Sequence, residues 1–157
     1  MQEKIKVLMV CHGNICRSPM AEFILKDMVS TRGIADRFHI ESAATSYEEI
    51  NNPVYPPAKA ELARHGISCK GKRARKLLER DFEEFDYLIA MESFNLRNMH
   101  REFGGKLTEK VSLLLDYTDM PEDIADPWYT GAFDVTYNEI VFGCEGFLRY
   151  LEENNEI

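Results

Sequence analysis

No apolar run in this chain approaches the ~20 residues needed to cross a membrane as a helix. The first apolar stretch, Val7 to Cys11, is too short for the core of a secretory signal, and no small-residue cleavage site follows it. The expectation is a cytoplasmic protein with no membrane partner, although export without a signal peptide would leave no such mark. Cysteine is scarce, with 4 residues among 157, at positions 11, 16, 69 and 144. They do not form two closely spaced pairs, so no zinc or other metal site is expected. A disulfide framework is not expected in a reducing compartment either. Basic residues are scarce in one half of the chain. Residues 81–157 hold 5 Lys and Arg against 18 Asp and Glu, whereas residues 1–80 hold 14 against 9. The net charge of −8 lacks the basic field of a general nucleic-acid binder. No internal repeat or low-complexity linker interrupts the sequence. With 45% hydrophobic residues, residues 1–157 are expected to fold as a single domain around a real core.

What is present is an alternation of strand-like and helix-like segments. Lys4 to Val10 ends as a continuous apolar run, as buried parallel strands do. Ser18-Pro19 reads as a helix start, and Met20, Phe23, Ile24 and Met28 follow at helical spacing. Phe38 to Ser42 reads as a second strand, Pro57 to His65 as a helix closed by Gly66, and Tyr87 to Met91 as a third strand. Ser93 reads as the cap of a helix ending near Gly104, and Val111 to Leu115 as a fourth strand. Asp116 to Thr130 reads as an acidic loop. Phe133 to Glu153 reads as a last helix burying Val135, Ile140, Phe147, Leu148 and Leu151, with Gly143 and Gly146 weakening its continuity. This order predicts an α/β domain with a doubly wound parallel sheet.

The segment from Cys11 to Ser18 carries the chemistry. A strand ends, the chain turns, and a helix begins, so unpaired first-turn N–H groups face the turn. A loop curled around them makes an anion cradle. Gly13 and Asn14 tolerate the left-handed backbone such a loop needs. Arg17 adds a planar fork for two phosphate oxygens. Cys11 opens the loop, where these donors favour a thiolate nucleophile. An isolated Cys is more often a small buried hydrophobe. Cys and Arg six positions apart, after a strand and before a helix, favour the chemical reading.

The run Cys11 to Glu22 (CHGNICRSPMAE) resembles the signature of the low-molecular-weight protein tyrosine phosphatases. The resemblance continues through Ser42-Ala43-Ala44-Thr45, Asp86 to Met91, and Asp126-Pro127-Trp128-Tyr129, in the family's order over nearly the whole chain. It implies a four-stranded parallel sheet flanked by helices on both faces, with the phosphate loop between the first strand and first helix. It implies hydrolysis of phosphotyrosine monoesters through a cysteinyl-phosphate, with no metal and no cofactor. The partners implied are a phosphotyrosine-containing protein or peptide and inorganic phosphate or another oxyanion, with the chain a monomer or weak dimer.

Under that resemblance Cys11 is the nucleophile. His12, Gly13, Asn14, Ile15, Cys16 and Arg17 bind the phosphoryl oxygens. Ser18 hydrogen-bonds the Cys11 sulfur, unless its hydroxyl serves only to cap the helix. Asp126 is the general acid and then the base, a role that the acidic run around it would favour by keeping one member protonated. Trp128 and Tyr129 form one wall of an aromatic slot, with Tyr47 opposite. Cys16 is placed to trap oxidised Cys11. Cys69 and Cys144 are expected to be structural. Two positions depart from the family. Glu92 stands where Asp is usual, and Lys72 stands where a His usually bonds the loop Asn, leaving Asn14 to Ser42 or another partner. The basic run Lys70, Lys72, Arg73, Arg75 and Lys76 reads as a solvated face.

Other readings compete. An arsenate reductase needs resolving cysteines that this chain lacks between Cys69 and Cys144. A protein-arginine phosphatase carries Thr in the loop where Ile15 stands here. A non-catalytic phosphotyrosine-binding module would be expected to have lost Cys11, Arg17 or Asp126. A redox sensor would rest on Cys11 and Cys16.

Overall fold

Val7, Leu8, Met9 and Val10 are all fully buried, as residues of a strand covered on both faces must be. They form β1 (Ile5–Cys11) of the computed structural model, which describes residues 3–157. The elements that follow are α1 (Arg17–Thr31), β2 (Phe38–Ala44), α2 (Pro56–Arg64), α3 (Asp81–Glu84) and β3 (Tyr87–Ala90). Next come α4 (Ser93–Phe103), β4 (Val111–Leu113), α5 (Pro127–Thr130) and α6 (Phe133–Glu153). The four strands are parallel in the order β2-β1-β3-β4. The chain therefore leaves β1 in one direction and later returns to its other side. Ligands in such sheets bind outside the carboxyl ends of the strands, where the order switches. The loop after β1 lies at that point.

The period-two alternation of β1 divides the core. Val7, Met9 and Cys11 pack with Met20, Ile24, Ile140, Phe147 and Leu151 from α1 and α6. Leu8 and Val10 pack with Phe82 of α3, Met99 of α4, Leu77 and Phe85. Among the described residues, no helix is long and apolar enough to cross a membrane.

The last helix spans the expected residues, and its two glycines have a packing reason. A Cβ at Gly143 would lie 2.5 Å from Leu114 Cγ, and one at Gly146 would lie 2.4 Å from the Tyr117 carbonyl oxygen. The helix thus presses directly on a 3-10 turn (Leu114–Tyr117) that ends the fourth strand two residues earlier than expected. Val135 is not part of the buried face. It is 52% exposed, because the side facing the sheet runs through Thr136, Ile140, Gly143 and Phe147. Ser93 is the first residue of α4 rather than its cap. Glu92 takes the cap position, and Asn95 Oδ1 accepts from the Met91 and Glu92 N–H groups.

The basic run is only partly a solvated face. Lys72 Nζ donates to Ser42 O at 2.9 Å and lies 3.4 Å from Glu22 Oε1. Arg75 forks onto Asp81 at 3.0 and 3.2 Å and reaches Glu41 at 3.3 Å. Lys76, 7% exposed, donates to both oxygens of Glu102. These cations bind the segment to α1, β2, α3 and α4. The segment also pairs Ala44 with Lys76 and Pro53 with Arg73.

Candidate active site

The loop after β1 turns several of its carbonyls outward. The carbonyls of Cys11, His12 and Ile15 accept from the N–H groups of Thr45, Ser46 and Tyr55. Among the described residues, the N–H groups of residues 12–16 donate to no backbone carbonyl. Backbone donors normally find partners. A loop with several carbonyls bonded outward and its donors free is built to receive an anion.

Asn14 makes the turn possible and then fastens it. Its φ of 59° lies in the left-handed region, which Asn tolerates better than most residues. Its amide is buried, donates to Ser18 Oγ at 2.7 Å and accepts from the Arg75 N–H at 3.1 Å. Arg75 O in turn accepts from Ala44 N at the end of β2. The loop Asn is therefore held by Arg75 and Ser18, not by Ser42 or Lys72. Ser42 Oγ donates to Glu22 instead.

Ser18 does not cap α1. It is the second residue of the helix, and Cys16 precedes the first turn without a side-chain cap. The Ser18 hydroxyl lies 3.0 Å from Cys11 Sγ, and the Ser18 N–H donates to the same sulfur at 3.4 Å. Because Asn14 donates to Oγ, the hydroxyl hydrogen is free to point at the sulfur. A hydrogen-bonded line thus runs from Arg75 through Asn14 and Ser18 to Cys11.

Arg17 is 1% exposed. Its Nη1 donates to Glu92 Oε2 at 2.7 Å and to the Ile124 carbonyl at 2.8 Å, and its Nη2 lies 3.4 Å from Asp126 Oδ2. Burial opposes its charge, but the facing Cys11, Asp126 and Glu92 outweigh burial and raise its pKa above the ordinary arginine value. Glu92 thus reaches the guanidinium despite its extra methylene. Its place, directly after Met91 at the carboxyl edge of the sheet, was the signal available in the sequence.

Asp126 caps α5, with Oδ1 accepting from Trp128 N at 3.0 Å and Oδ2 turned to Arg17. The acidic run does not act as one cluster around it. Asp123 accepts from the Ser93 N–H and hydroxyl, both at 2.9 Å, at the start of α4. Asp116 accepts from Leu113 N. The charge facing Asp126 is that of Arg17.

One cavity brings together Cys11, His12, Gly13, Ile15, Cys16, Arg17, Asp126, Trp128 and Tyr129, joined by Glu48 and Glu49. Trp128 is 52% exposed and its ring centroid lies 4.7 Å from that of Tyr55. Tyr129 is more exposed still. Tyr47 does not form the opposite wall. It points away, with Lys76 Nζ 4.9 Å from its ring. The opposite wall is acidic instead. Glu49 lies over Gly13, where a Cβ would meet Glu49 Cγ at 3.4 Å, and Glu48 accepts the His12 ring at 3.1 Å. These two carboxylates were missed in the sequence because nothing there distinguishes them from their neighbour Tyr47.

Cys11 and Cys16 are both free and buried. Burial pushes the Cys16 thiol up, with the neighbouring Cys11 and Asp126 adding to the effect. Cys69 and Cys144 are also buried and free, away from the cavity. Among the described residues, no group of three or more His, Cys, Asp or Glu is placed to hold a metal ion.

A family model described as low molecular weight phosphotyrosine protein phosphatase matches residues 6–156. The low molecular weight protein-tyrosine-phosphatase YfkJ of Bacillus subtilis is 38% identical over 155 residues, covering 98% of this chain and 99% of that protein. Its crystal structure superposes with a TM-score of 0.93 over 98% of both chains. The human low molecular weight phosphotyrosine protein phosphatase is 37% identical over 148 residues, covering 91% of this chain and 93% of its own. The crystal structure of a Drosophila arginine phosphatase is 34% identical, with a TM-score of 0.82 over 93% of this chain and 97% of that one.

Proposed function

The chain belongs to the low molecular weight phosphotyrosine protein phosphatase family, and from that premise we propose how its residues divide the hydrolysis of a phosphotyrosine monoester. The observation that carries the division is the meeting of Cys11, buried Arg17 and Asp126 in one cavity whose loop donors are free.

Cys11 thiolate attacks phosphorus. The N–H groups of residues 12–17 and the Arg17 fork hold the three equatorial oxygens, whose charge needs pre-aimed donors rather than covalent help. Arg17 arrives pre-aimed, because Glu92 and Ile124 O fix its other side. As the bond from phosphorus to the phenolic oxygen breaks, Asp126 gives that oxygen a proton. The product tyrosine leaves a cysteinyl-phosphate. Asp126, now a carboxylate, takes a proton from water as the water attacks phosphorus. The phosphorus–sulfur bond breaks, and the Ser18 hydroxyl donates to the departing thiolate. Trp128 and Tyr129 stack against the substrate ring. Residues 1–157 work as one domain, a monomer or weak dimer.

Ile15 bears on the choice between substrates. Its side chain lines the cavity and offers no hydrogen bond, which suits an aromatic ester better than a guanidinium phosphate. Under peroxide, Cys11 would be oxidised to a sulfenic acid, and Cys16 sulfur would displace water from it to form a disulfide. The raised Cys16 thiol makes that capture slow at neutral pH.

Hydrolysis of phosphotyrosine and phosphoarginine peptides by wild type, Cys11→Ser and Asp126→Ala tests the assignment. Wild type should cleave the phosphotyrosine peptide faster, and Cys11→Ser should fall to background. Wild-type turnover by Cys11→Ser would falsify the mechanism.

A further inference from the structure

Three of the six cations of the segment 69–80, Lys72, Arg75 and Lys76, are tied to neighbouring elements of the protein. A second group of cations lies in the other half of the chain. Four of the five basic residues in the acidic half, residues 81–157, fall between positions 97 and 110. Two of them, Arg97 and Arg101, lie on the exposed side of α4 with His100, and among the described residues none of the three has a carboxylate partner. The acidic groups of α4 are already taken. Glu92 binds Arg17, and Glu102 binds Lys76. Cations in a last turn do complement the helix dipole, which accounts for His100 and Arg101. It does not account for Arg97, one turn earlier.

The position of these groups relative to the site is specific. α4 begins at the cavity. Phe94, 42% exposed, lines a hollow with His12, Arg17, Glu92 and Asp126, in which Glu92 is bound to Arg17. The Arg97 guanidinium lies 5.6 Å from the centre of the Phe94 ring. Arg97 then lines a second shallow basin with Leu96, His100, Arg101 and Leu107. Beyond Phe94 there is therefore a track with an apolar floor of Leu96 and Leu107 and a cationic rim of Arg97 and Arg101. The opposite rim of the cavity carries Glu48 and Glu49.

We propose that this α4 track is a docking site for acidic residues that flank the phosphotyrosine in a substrate protein. The proposal rests on the phosphatase reading given above. The cations attract an acidic flank to one side, while Glu48 and Glu49 repel it from the other, so the charge asymmetry orients the substrate across the cavity.

Steady-state kinetics on phosphotyrosine peptides with acidic residues placed before, after, or on neither side of the phosphotyrosine test this, beside p-nitrophenyl phosphate. Wild type should prefer one of the acidic peptides, and added salt should shrink the preference. Arg97→Glu/Arg101→Glu should lower kcat/KM for that peptide by about 5–20-fold, mainly through KM. The peptide without acidic flanks and p-nitrophenyl phosphate should stay within about two-fold, since they place no charge on the α4 track and exposed surface charges act weakly at a distance. Arg97→Gln, with less effect on folding, should move the same ratio in the same direction. Equal rates on all peptides in wild type, or equal losses on all substrates in the variants, would overturn the docking role. So would loss of binding to phosphatidylserine vesicles with no change in peptide preference, which would assign the cations to a lipid surface. Failure of wild type to cleave any phosphotyrosine peptide would instead sink the phosphatase reading.

Discussion

The two sides of the cavity are built in opposite ways. On the cradle side, Cys11, Asn14, Arg17 and Ser18 are all at most 3% exposed. Asn14 and Arg17 are fixed by hydrogen bonds to groups distant in sequence, Arg75, Glu92 and Ile124, and Ser18 and Cys11 are held in turn through Asn14. On the aromatic side, Trp128 and Tyr129 are 52% and 84% exposed and sit on the short helix α5. The difference follows the work each side does. Stabilising charge on a phosphoryl group needs donors that do not reorganise, and burial prevents reorganisation. Recognising a ring needs only surface, and exposed surface lets different peptides approach. Asp126 belongs to both sides, with one carboxylate oxygen on Trp128 N and the other near Arg17.

If the comparison holds, damage should grade from rate to affinity on crossing the cavity. The largest effect is expected at Asp126. Asp126→Asn should lower kcat by about 10²–10⁴-fold on phosphotyrosine. With p-nitrophenyl phosphate the initial release of p-nitrophenolate should be spared, since that leaving group needs no proton, while hydrolysis of the cysteinyl-phosphate, for which Asp126 is the base, slows on both substrates. Arg17→Lys keeps the charge but loses the fork, and should cost about 10²–10³-fold in kcat. A normal kcat for it would show that the cradle tolerates a point charge. Asn14→Ala cuts the line from Arg75 to Ser18. It should cost about 10-fold in kcat, and about 1–3 kcal/mol in urea unfolding because buried partners lose their bonds. Trp128→Ala should raise KM about three-fold with kcat unchanged and only a small fall in Tm, because the half-exposed ring gives up little beyond its contact with Tyr55. A fall in its kcat equal to that of Asn14→Ala would erase the distinction between the sides.

The smallest expected effect lies outside both sides and sharpens the contrast. Glu61 is buried in α2, bonded to Arg64 and to His65, whose ring stacks on Tyr137. Burial alone would lift its pKa, but the bonds from Arg64 and His65 outweigh burial and hold it below the usual carboxylate value. The unfolded chain therefore takes up this proton first as pH falls. The stabilisation is complete above the unfolded value and disappears as pH drops through the lower folded one. Glu61→Gln should lower Tm by about 2–4 °C at pH 7, converge with wild type in acid, and leave kcat unchanged.

The parts legible in the sequence were those where local pattern and tertiary role coincide. β1 is apolar throughout because both its faces are covered, and its neighbours in sequence are its site. The span of α6 could be read from periodicity alone. Ser18 could not, because Ser-Pro at a helix start looks the same whether the hydroxyl caps the helix or faces a sulfur. Only Asn14, placed by Arg75, decides it. The basic run misled for a similar reason, since its carboxylate partners come from residues 22, 41, 81 and 102. The register of the loop after β2 turns Tyr47 out and Glu48 and Glu49 in, and no composition rule distinguishes adjacent loop residues. Gly143 and Gly146 looked like weak points in a helix and are contact points instead.

The bond from Arg17 to the Ile124 carbonyl joins residues 107 positions apart. During synthesis the cysteine and arginine of the cradle emerge from the ribosome well before the seat that fixes the guanidinium. A nascent chain carrying Cys11 but not yet Ile124 holds the nucleophile without its aligned clamp. The long loop must close before the pair can meet, and such closures are slow compared with local helix formation. The order of translation therefore withholds the finished phosphate pocket until the proton donor, Asp126, has also been made.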